Sequence, residues 1–354
     1  MYINIHSYDK NSEELLLSNK HLYVLPSEIS DFINLENLNL KYNELSNLPT
    51  EISKLINLKY LNLQNNKFKS FPIEITKLIN LKELNLSHNR LIKIDCENIN
   101  LINLEKLDLS YNHLKYLPDE FYNLINLNIL DLSYNNFNLS DKICNLTNLK
   151  ILKLTHNKLK SFPIEITKLI NLNELNLWNN YLTELPSEIG KLINLRKLNL
   201  QTNELSILPV EICNLIKLYD LQLAHNKFEN LPAEIGNLIN LRYLNLSNNN
   251  LSILPNEIGN LINLNRFELD KNKLQSLPAE ILKIKQSLCI NESSYDINNL
   301  NIENEILIFS KLTKKLNNLP INTKEIWLKS NIQIKSNIQN FDIKLPFGCV
   351  IKFL

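Results

Sequence analysis

Residues 231–251 read "LPAEIGNLINLRYLNLSNNNL", and residues 25–45 read "LPSEISDFINLENLNLKYNEL". This pattern returns along most of the 354-residue chain, in units that each open with a leucine. The opening leucines are Leu35, Leu58, Leu81, Leu104, Leu127, Leu149, Leu172, Leu195, Leu218, Leu241 and Leu264. Every step between them is 23 residues, except the step from Leu127 to Leu149, which is 22 residues. With a weaker unit in front, twelve units cover about residues 13–284, and a period of this length is typical of a solenoid.

Each unit contains a short stretch of alternating apolar and polar residues. In "LKYLNLQNN" (58–66), Leu61 and Leu63 alternate with polar residues, so the pattern predicts a short strand that buries one face. The polar residue between the two leucines also repeats as a column: Asn39, Asn62, Asn85, Asp108, Asp131, Lys153, Asn176, Asn199, Gln222, Asn245 and Glu268. We expect this column to face outward from the strands.

An asparagine follows each predicted strand at a fixed position. It recurs as Asn43, Asn66, Asn89, Asn112, Asn135, Asn157, Asn180, Asn203, Asn226, Asn249 and Asn272. A side-chain amide that stacks once per repeat can satisfy the backbone groups of the turn that leaves each strand, so we interpret these asparagines as structural. Pro72 then suits the first position of a helical turn, and Glu74 lies near the positive end of that turn.

These residues resemble the leucine-rich repeat family in its intracellular form of about 23 residues, in which the convex side carries L-P-x-E-I-x-x-L. The Asn-, Ile- and Lys-rich style is similar to that of uncharacterised leucine-rich repeat proteins of giant amoeba-infecting viruses. The resemblance implies an α/β solenoid, a leucine-rich repeat horseshoe with a parallel concave β-sheet and short convex helical or 3₁₀ turns. It also implies non-enzymatic binding of a protein on the concave face.

Two units break the convex pattern. The sequence "IDCEN" at 94–98 and the sequence "LSDKIC" at 139–144 replace L-P-x-E-I, and both lack proline. We therefore expect local irregularity of the convex side at both places.

Composition argues against several classes of function. The formal net charge is +1, and the four glycines are too scattered to build a phosphate-binding loop. The six histidines and five cysteines show no metal-ligand spacing, so we expect no enzyme, no metal and no cofactor. We expect a cytoplasmic protein, because the number of cysteines is odd and the start has no signal-peptide character. No apolar run is long enough to span a membrane.

Candidate binding residues lie in the third to seventh regular repeats. The residues that directly precede the recurring asparagines form a column, which includes His88, Tyr111, Tyr134 and His156. Trp178 stands beside this column. Ile129 and Ile151 occupy outward strand positions where other repeats carry polar residues or tyrosine. Tyrosine and tryptophan are enriched in binding hot spots, so these seven residues are the candidate partner site. An alternative is that the rings only pack on one another to cover strand edges.

The acidic residues Asp108, Asp131 and Glu174 are interleaved with these rings and oppose a nucleic-acid partner. We expect a monomer that binds a protein of unknown identity, with neither a nucleic-acid nor a membrane partner. The alternative is a substrate-selecting adaptor of a ubiquitin-ligase, small-GTPase or phosphatase complex, in which the C-terminal tail docks the effector.

The predicted domain organisation has three parts. Residues 1–22 form an N-terminal cap with a degenerate first repeat, residues 23–284 form the repeats, and residues 285–354 form a C-terminal cap or degenerate α/β tail. Within the tail, apolar residues at helical spacing predict a helix over 301–320. The stretches 319–328 and 345–354 share a frame and predict two diverged strand units.

Overall fold

The computed structural model describes residues 5–95, 98–274, 278–284, 288–290, 306–309, 325–328 and 350–353. The chain divides into two compact units, and each is treated by itself. The first unit comprises Met1–Leu159 with Pro163–Asn180, and the second comprises Lys160–Phe162 with Tyr181–Leu354. The predicted domain boundaries at 22 and 284 stay predictions.

Parallel strands line up in chain order in the first unit. They are β1 (Glu14–Leu16), β2 (Asn37–Asn39), β3 (Tyr60–Asn62), β4 (Glu83–Asn85), β5 (Lys106–Asp108), β6 (Ile129–Asp131), β7 (Ile151–Lys153) and β8 (Glu174–Asn176). Each strand pairs with the next one in register, so that the middle leucines lie opposite one another, as Leu84 lies opposite Leu107. The predicted alternation is confirmed, because the middle residue of each strand is buried while the outer two are half-buried or exposed.

The second unit continues the same pattern. Its strands are β9 (Lys197–Asn199), β10 (Asp220–Gln222), β11 (Tyr243–Asn245), β12 (Arg266–Glu268), β13 (Leu288–Ile290), β14 (Ile306–Phe309), β15 (Glu325–Leu328) and β16 (Val350–Phe353). All of them pair in parallel and in chain order. The predicted strand units at 319–328 and 345–354 are confirmed by β15 and β16.

Short 3₁₀ helices alternate with the strands and form the other side of the repeats. In the first unit they are Ile5–Ser7, Ser27–Asp31, Thr50–Lys54, Ile73–Lys77, Asp119–Asn123, Asp141–Asn145 and Ile164–Lys168. In the second unit they are Ser187–Lys191, Val210–Asn214, Ala233–Asn237, Asn256–Asn260 and Ala279–Lys283. The predicted architecture, in which parallel strands alternate with short 3₁₀ turns, is therefore confirmed.

The proline of each repeat lies one residue earlier than predicted. Pro72 is an extended residue with φ −72° and ψ 98°, directly before the helix Ile73–Lys77. Its ring fixes φ at the entry to the helix, and the missing N–H group leaves no donor unsatisfied there. Glu74 lies in the first turn, as predicted.

The two units without proline differ from each other. Between β4 and β5 the described residues form no helix, so the predicted irregularity at 94–98 is confirmed for the described part. The prediction for 139–144 is wrong, because Asp141–Asn145 is a regular 3₁₀ helix. Ser140 takes an extended conformation like that of the prolines, and its hydroxyl accepts a hydrogen bond from the Lys142 N–H group.

The predicted helix over 301–320 is also wrong where the structure describes this segment, because Ile306–Phe309 is the strand β14. This run of four apolar residues pairs with β13 and β15 on its two sides. Interior strands of parallel sheets read as continuous apolar runs, which sequence periodicity alone does not separate from a buried helix.

The interior is built from the leucine and isoleucine columns and from several aromatic residues. Phe71 and Phe121 are both buried and meet edge to face, with ring centroids 5.6 Å apart. This contact joins two repeats that flank the unit without a described helix. Tyr122 is fully buried as well, and burial raises the pKa of its phenol to about 12.

Glycine in the second unit marks a close approach of neighbouring repeats. A Cβ atom placed on Gly190 would lie 2.6 Å from the backbone oxygen of Glu211 in the next repeat. Gly236 and Gly259 face the backbone of Glu257 and Glu280 in the same way. These glycines therefore serve helix packing, in agreement with the absence of a glycine-rich loop in the sequence.

Candidate functional site

The outward side of the strands carries a column of side chains that is tied to the backbone. Asn85 Oδ1 accepts hydrogen bonds from the N–H and hydroxyl groups of Ser87, at 2.9 and 2.7 Å. Asp108 accepts both bonds from Ser110, and Asp131 accepts one from the Ser133 N–H group. Where this column carries asparagine or aspartate in these repeats, the side chain therefore forms an Asx turn at the end of the strand.

The next column adopts a left-handed backbone in every regular repeat. His88, Tyr111, Tyr134 and His156 have φ values of 53°, 55°, 55° and 56°. Their N–H groups donate to the carbonyl oxygens of the following repeat, at 2.7–2.9 Å. A left-handed conformation costs a non-glycine residue about 1–2 kcal/mol, and asparagine tolerates it better than tyrosine does. Tyr42, Thr202, His225 and Lys271 adopt the same conformation, so the column accepts several types of residue.

Four aromatic side chains in the middle of this column lie against one another. The rings of His88 and Tyr111 are 4.0 Å apart and inclined by 12°, and those of Tyr111 and Tyr134 are 4.1 Å apart and inclined by 10°. The ring of His156 lies 5.0 Å from that of Tyr134 at an angle of 38°. We call these four residues the ring row. The four rings therefore form one continuous row across neighbouring repeats.

A polar contact lies at one end of the ring row, and a neutral phenol lies in its middle. Asn179 Nδ2 lies 2.6 Å from His156 Nδ1, a distance at which the amide donates to the unprotonated ring nitrogen. Partial desolvation raises the pKa of the Tyr111 phenol above its ordinary value, and the neighbouring Tyr134 raises it further. Tyr111 therefore stays neutral at physiological pH, and its hydroxyl can both donate and accept a hydrogen bond.

The two isoleucines lie at the other end of the same strands. Ile129 and Ile151 are opposite each other in β6 and β7, and both are half-buried. Between this isoleucine pair and the ring row, Lys153 Nζ lies 3.7 Å from Asp131 Oδ2. Burial raises the pKa of Asp108 in the neighbouring strand. The outward face thus has an apolar pair, a charged centre and an aromatic edge.

Trp178 does not belong to the column of the ring row. It occupies the position one residue earlier, where Ser87, Ser110 and Ser133 are buried, and its side chain is 37% exposed. Its carbonyl oxygen accepts the hydrogen bond from the His156 N–H group at 2.9 Å. The structure therefore places Trp178 beside the ring row through the backbone.

A second row of side chains follows the ring row, and the sequence analysis missed it. An open groove of about 600 Å³ is lined by the rings and also by Arg90, His113, Asn136 and Lys158, each of which directly follows a buried asparagine. Among the described residues that line the groove, none is acidic. The fixed position after each asparagine was the signal that could have revealed this row.

Groups with catalytic or metal-binding character are sparse in the part of the chain that the structure describes. Burial raises the pKa of the Cys213 thiol to about 12, so this cysteine is protonated at neutral pH and is a poor nucleophile. Cys96 and Cys349 lie outside the described residues. The described residues hold no cluster of three or more His, Cys, Asp and Glu side chains that could bind a metal ion. Within the same residues, we find no helix with the length and apolar character needed to cross a membrane.

Two family models match the sequence. The model described as leucine rich repeat matches residues 33–91, 79–137 and 170–228, and the model described as leucine-rich repeat region matches residues 226–319. The comparison with curated proteins gave no match.

Solved structures with the same fold include bacterial and plant proteins. A leucine-rich repeat protein of Leptospira interrogans is 40% identical with a TM-score of 0.73, and the match covers 81% of this chain and 79% of that chain. An internalin of Listeria monocytogenes is 24% identical with a TM-score of 0.70, over 84% and 80% of the two chains. The plant peptide hormone receptor RGFR1 in complex with RGF2 is 25% identical with a TM-score of 0.63, over 90% and 60%. The intracellular subtype and the similarity to viral proteins stay predictions.

Proposed function

Because the chain belongs to the leucine-rich repeat family, whose repeats generally serve as protein-binding scaffolds, we propose that it binds a segment of a protein partner along the ring row of the first unit. The observation that carries this proposal is the stacking of four rings on a left-handed backbone. Asparagine would satisfy the backbone at lower conformational cost, so the rings are better explained by what they contact than by the turn itself.

The geometry suits binding because the side chains are ordered in advance. Tyr111 and Tyr134 each lie between two rings, and the backbone N–H group of every residue in the row is bonded to the next repeat. Little conformational entropy is therefore lost when a partner docks. Stacked rings offer a large rigid contact area with polar tips. The isoleucine pair adds an apolar anchor at the opposite end of β6 and β7.

An extended segment fits the site better than a compact domain surface does. The ring row runs across successive strands, and the groove beside it is open along the same direction. The similar plant receptor is described as a peptide hormone receptor in complex with its ligand, which supports a peptide-like segment as the partner of this chain. We place this activity in the cytoplasm, on the basis of the odd number of cysteines.

The proposal can be tested with the full-length protein and a peptide selected against it from a random phage-displayed library. The variant Tyr111→Asn with Tyr134→Asn removes two rings, while asparagine is the residue that Asn65, Asn179 and Asn248 already provide in this column. We expect the dissociation constant of the selected peptide to rise by about tenfold or more, because hot-spot aromatic residues dominate such interfaces.

The matched control is Tyr42→Asn, at an exposed tyrosine with the same left-handed backbone but outside the ring row. Trp178→Ala is a separate arm that measures whether the neighbouring tryptophan takes part. Unchanged affinity in the Tyr111 and Tyr134 variant, with an unchanged circular dichroism spectrum, would show that the rings only cover strand edges.

A further inference from the structure

The second unit carries an arginine-rich pocket at the beginning of its strands. The pocket has a volume of about 780 Å³ and is lined by Arg196, Lys217, Tyr219 and Arg242, together with asparagines and an isoleucine. Arg196, Tyr219 and Arg242 are the residues that directly precede β9, β10 and β11. The pocket therefore belongs to a different unit and a different end of the strands from the ring row.

Backbone hydrogen bonds fix the three residues relative to one another. The Tyr219 N–H group donates to the Arg196 carbonyl at 2.9 Å, and the Arg242 N–H group donates to the Tyr219 carbonyl at 2.9 Å. Neighbouring strands lie about 4.8 Å apart, so the two arginines start about 9–10 Å from each other, with the tyrosine between them.

Within the described part of the chain, no acidic side chain neutralises the charges of these arginines. In the first unit, the same column contains Lys59 and Lys82, and each forms a salt bridge with a glutamate of an adjacent repeat. Neither Arg196 nor Arg242 forms a salt bridge with any residue that the structure describes.

Carboxylates of β10 and β12 have partners of their own. Glu268 pairs with Arg266, and Asp220 accepts a hydrogen bond from Gln222 at 2.6 Å. Both arginines thus present planar donor groups to solvent, and this geometry matches carboxylates.

We infer that the Arg196–Tyr219–Arg242 pocket is a second binding surface, which recognises an acidic segment of a protein partner. The spacing of the arginines matches a polyproline-type segment, which repeats every three residues at 3.1 Å per residue and so places carboxylates about 9 Å apart on one side. Asp220 directly follows Tyr219, and its negative charge opposes closely spaced phosphates more strongly than carboxylates that are about 9 Å apart. The inference is independent of the ring row.

The test uses the full-length protein and a fluorescein-labelled peptide of four Glu-Pro-Pro repeats, followed by fluorescence anisotropy. We expect saturable binding that weakens as salt is added, because the contact is electrostatic. The variant Arg196→Gln with Arg242→Gln should weaken binding by about tenfold or more, since it removes two charge-assisted contacts. The control variant Lys59→Gln with Lys82→Gln removes the same charge from the same column and should bind like the natural protein.

A second peptide and two competitors show whether binding depends on the carboxylates of the acidic peptide. A peptide of four Gln-Pro-Pro repeats should not bind, and inorganic phosphate or a short single-stranded DNA should compete poorly. No binding of the acidic peptide at about 1 mM, equal loss in the Lys59 and Lys82 variant, or tighter binding of DNA would overturn the inference. Because Tyr111→Asn with Tyr134→Asn should leave this affinity unchanged, failure here and failure of the ring-row proposal are distinguishable.

Discussion

At the scale of single residues, position separates several structural roles of asparagine in the described part of the chain, and three of them are compared as follows. Asn112 is buried and links two repeats, Asn85 closes an Asx turn at the end of its strand, and Asn126 donates from the surface to the Ile102 carbonyl at 2.8 Å. The sequence predicted the first role from the fixed spacing. It did not separate the second role from a composition rich in asparagine, because only the bonded partners distinguish the two.

Asn112 and Asn126 provide a matched test of these roles. Asn112 accepts from the Leu91 N–H group at 2.9 Å and donates to the carbonyls of Leu86 and Leu109 at 3.0 Å each. Asn112→Ala leaves these buried groups without partners, so we expect a loss of about 3 kcal/mol in the free energy of unfolding.

Asn126→Ala exposes its carbonyl partner to water, so the expected loss is below about 1 kcal/mol. Urea denaturation followed by circular dichroism would measure both variants against the natural protein. Similar losses in the two variants would show that the burial of Asn112 adds nothing to the free energy of unfolding.

The left-handed column shows how far residue-level prediction reached for the candidate site. The sequence identified His88, Tyr111, Tyr134 and His156 as neighbours because repeats of fixed length stack in register. It did not show the positive φ of these residues, because the rings there are poor formers of that conformation. The sequence also places Trp178 beside this column, and the structure adds that Trp178 is exposed where Ser87, Ser110 and Ser133 are buried.

At the scale of elements, the helices show that different residues can perform the same entry turn. Most helices follow a proline with an extended backbone, whereas Asp141–Asn145 follows Ser140, which has φ −75° and ψ 151°. The absence of proline predicts irregularity at both places. The prediction is confirmed for the described part of 94–98 and is wrong for 139–144. In the tail, the sequence predicts a helix where the structure has the strand β14, because a short apolar run fits the period of a helix and that of a strand.

A double-mutant cycle on Phe71 and Phe121 tests how the core packs around the repeat without a described helix. Other repeats carry leucine at the position of Phe71, as in Leu48, and isoleucine at the position of Phe121, as in Ile52. Phe71→Leu and Phe121→Ile therefore introduce residues that the fold already accepts. Aromatic pairs contribute about 1 kcal/mol beyond the area that they bury. We expect a coupling energy of that size in a double-mutant cycle followed by urea denaturation.

A second cycle serves as the control for this contact. It pairs Phe71→Leu with Ile212→Val, in the other unit, and should show additive losses within about 0.5 kcal/mol. A coupling energy near zero for the two phenylalanines would mean that they fill space independently of each other.

At the scale of the whole molecule, the repeats place most contacts between neighbours that are one period apart. Hydrogen bonds of the buried asparagines, strand pairs and salt bridges such as Lys67 with Glu44 all span a single repeat. The period of 23 residues was readable from the sequence because each unit must bury its apolar face against the next. The division between the two units near residues 159–181 was not readable, since the repeat pattern continues through it without interruption.

A chain held together by neighbour contacts should respond to damage locally. Asn112→Ala removes the acceptor of the Leu91 amide and weakens the stack around β4, β5 and β6. If each repeat depends on its neighbours, amide hydrogen exchange should accelerate in those strands and stay unchanged in β11 of the second unit. Exchange measured by mass spectrometry under native conditions resolves the two regions, and Asn126→Ala again provides the control. Equal acceleration in β5 and β11 would mean that the chain opens as one cooperative body, and the two binding surfaces would then share a single stability instead of two.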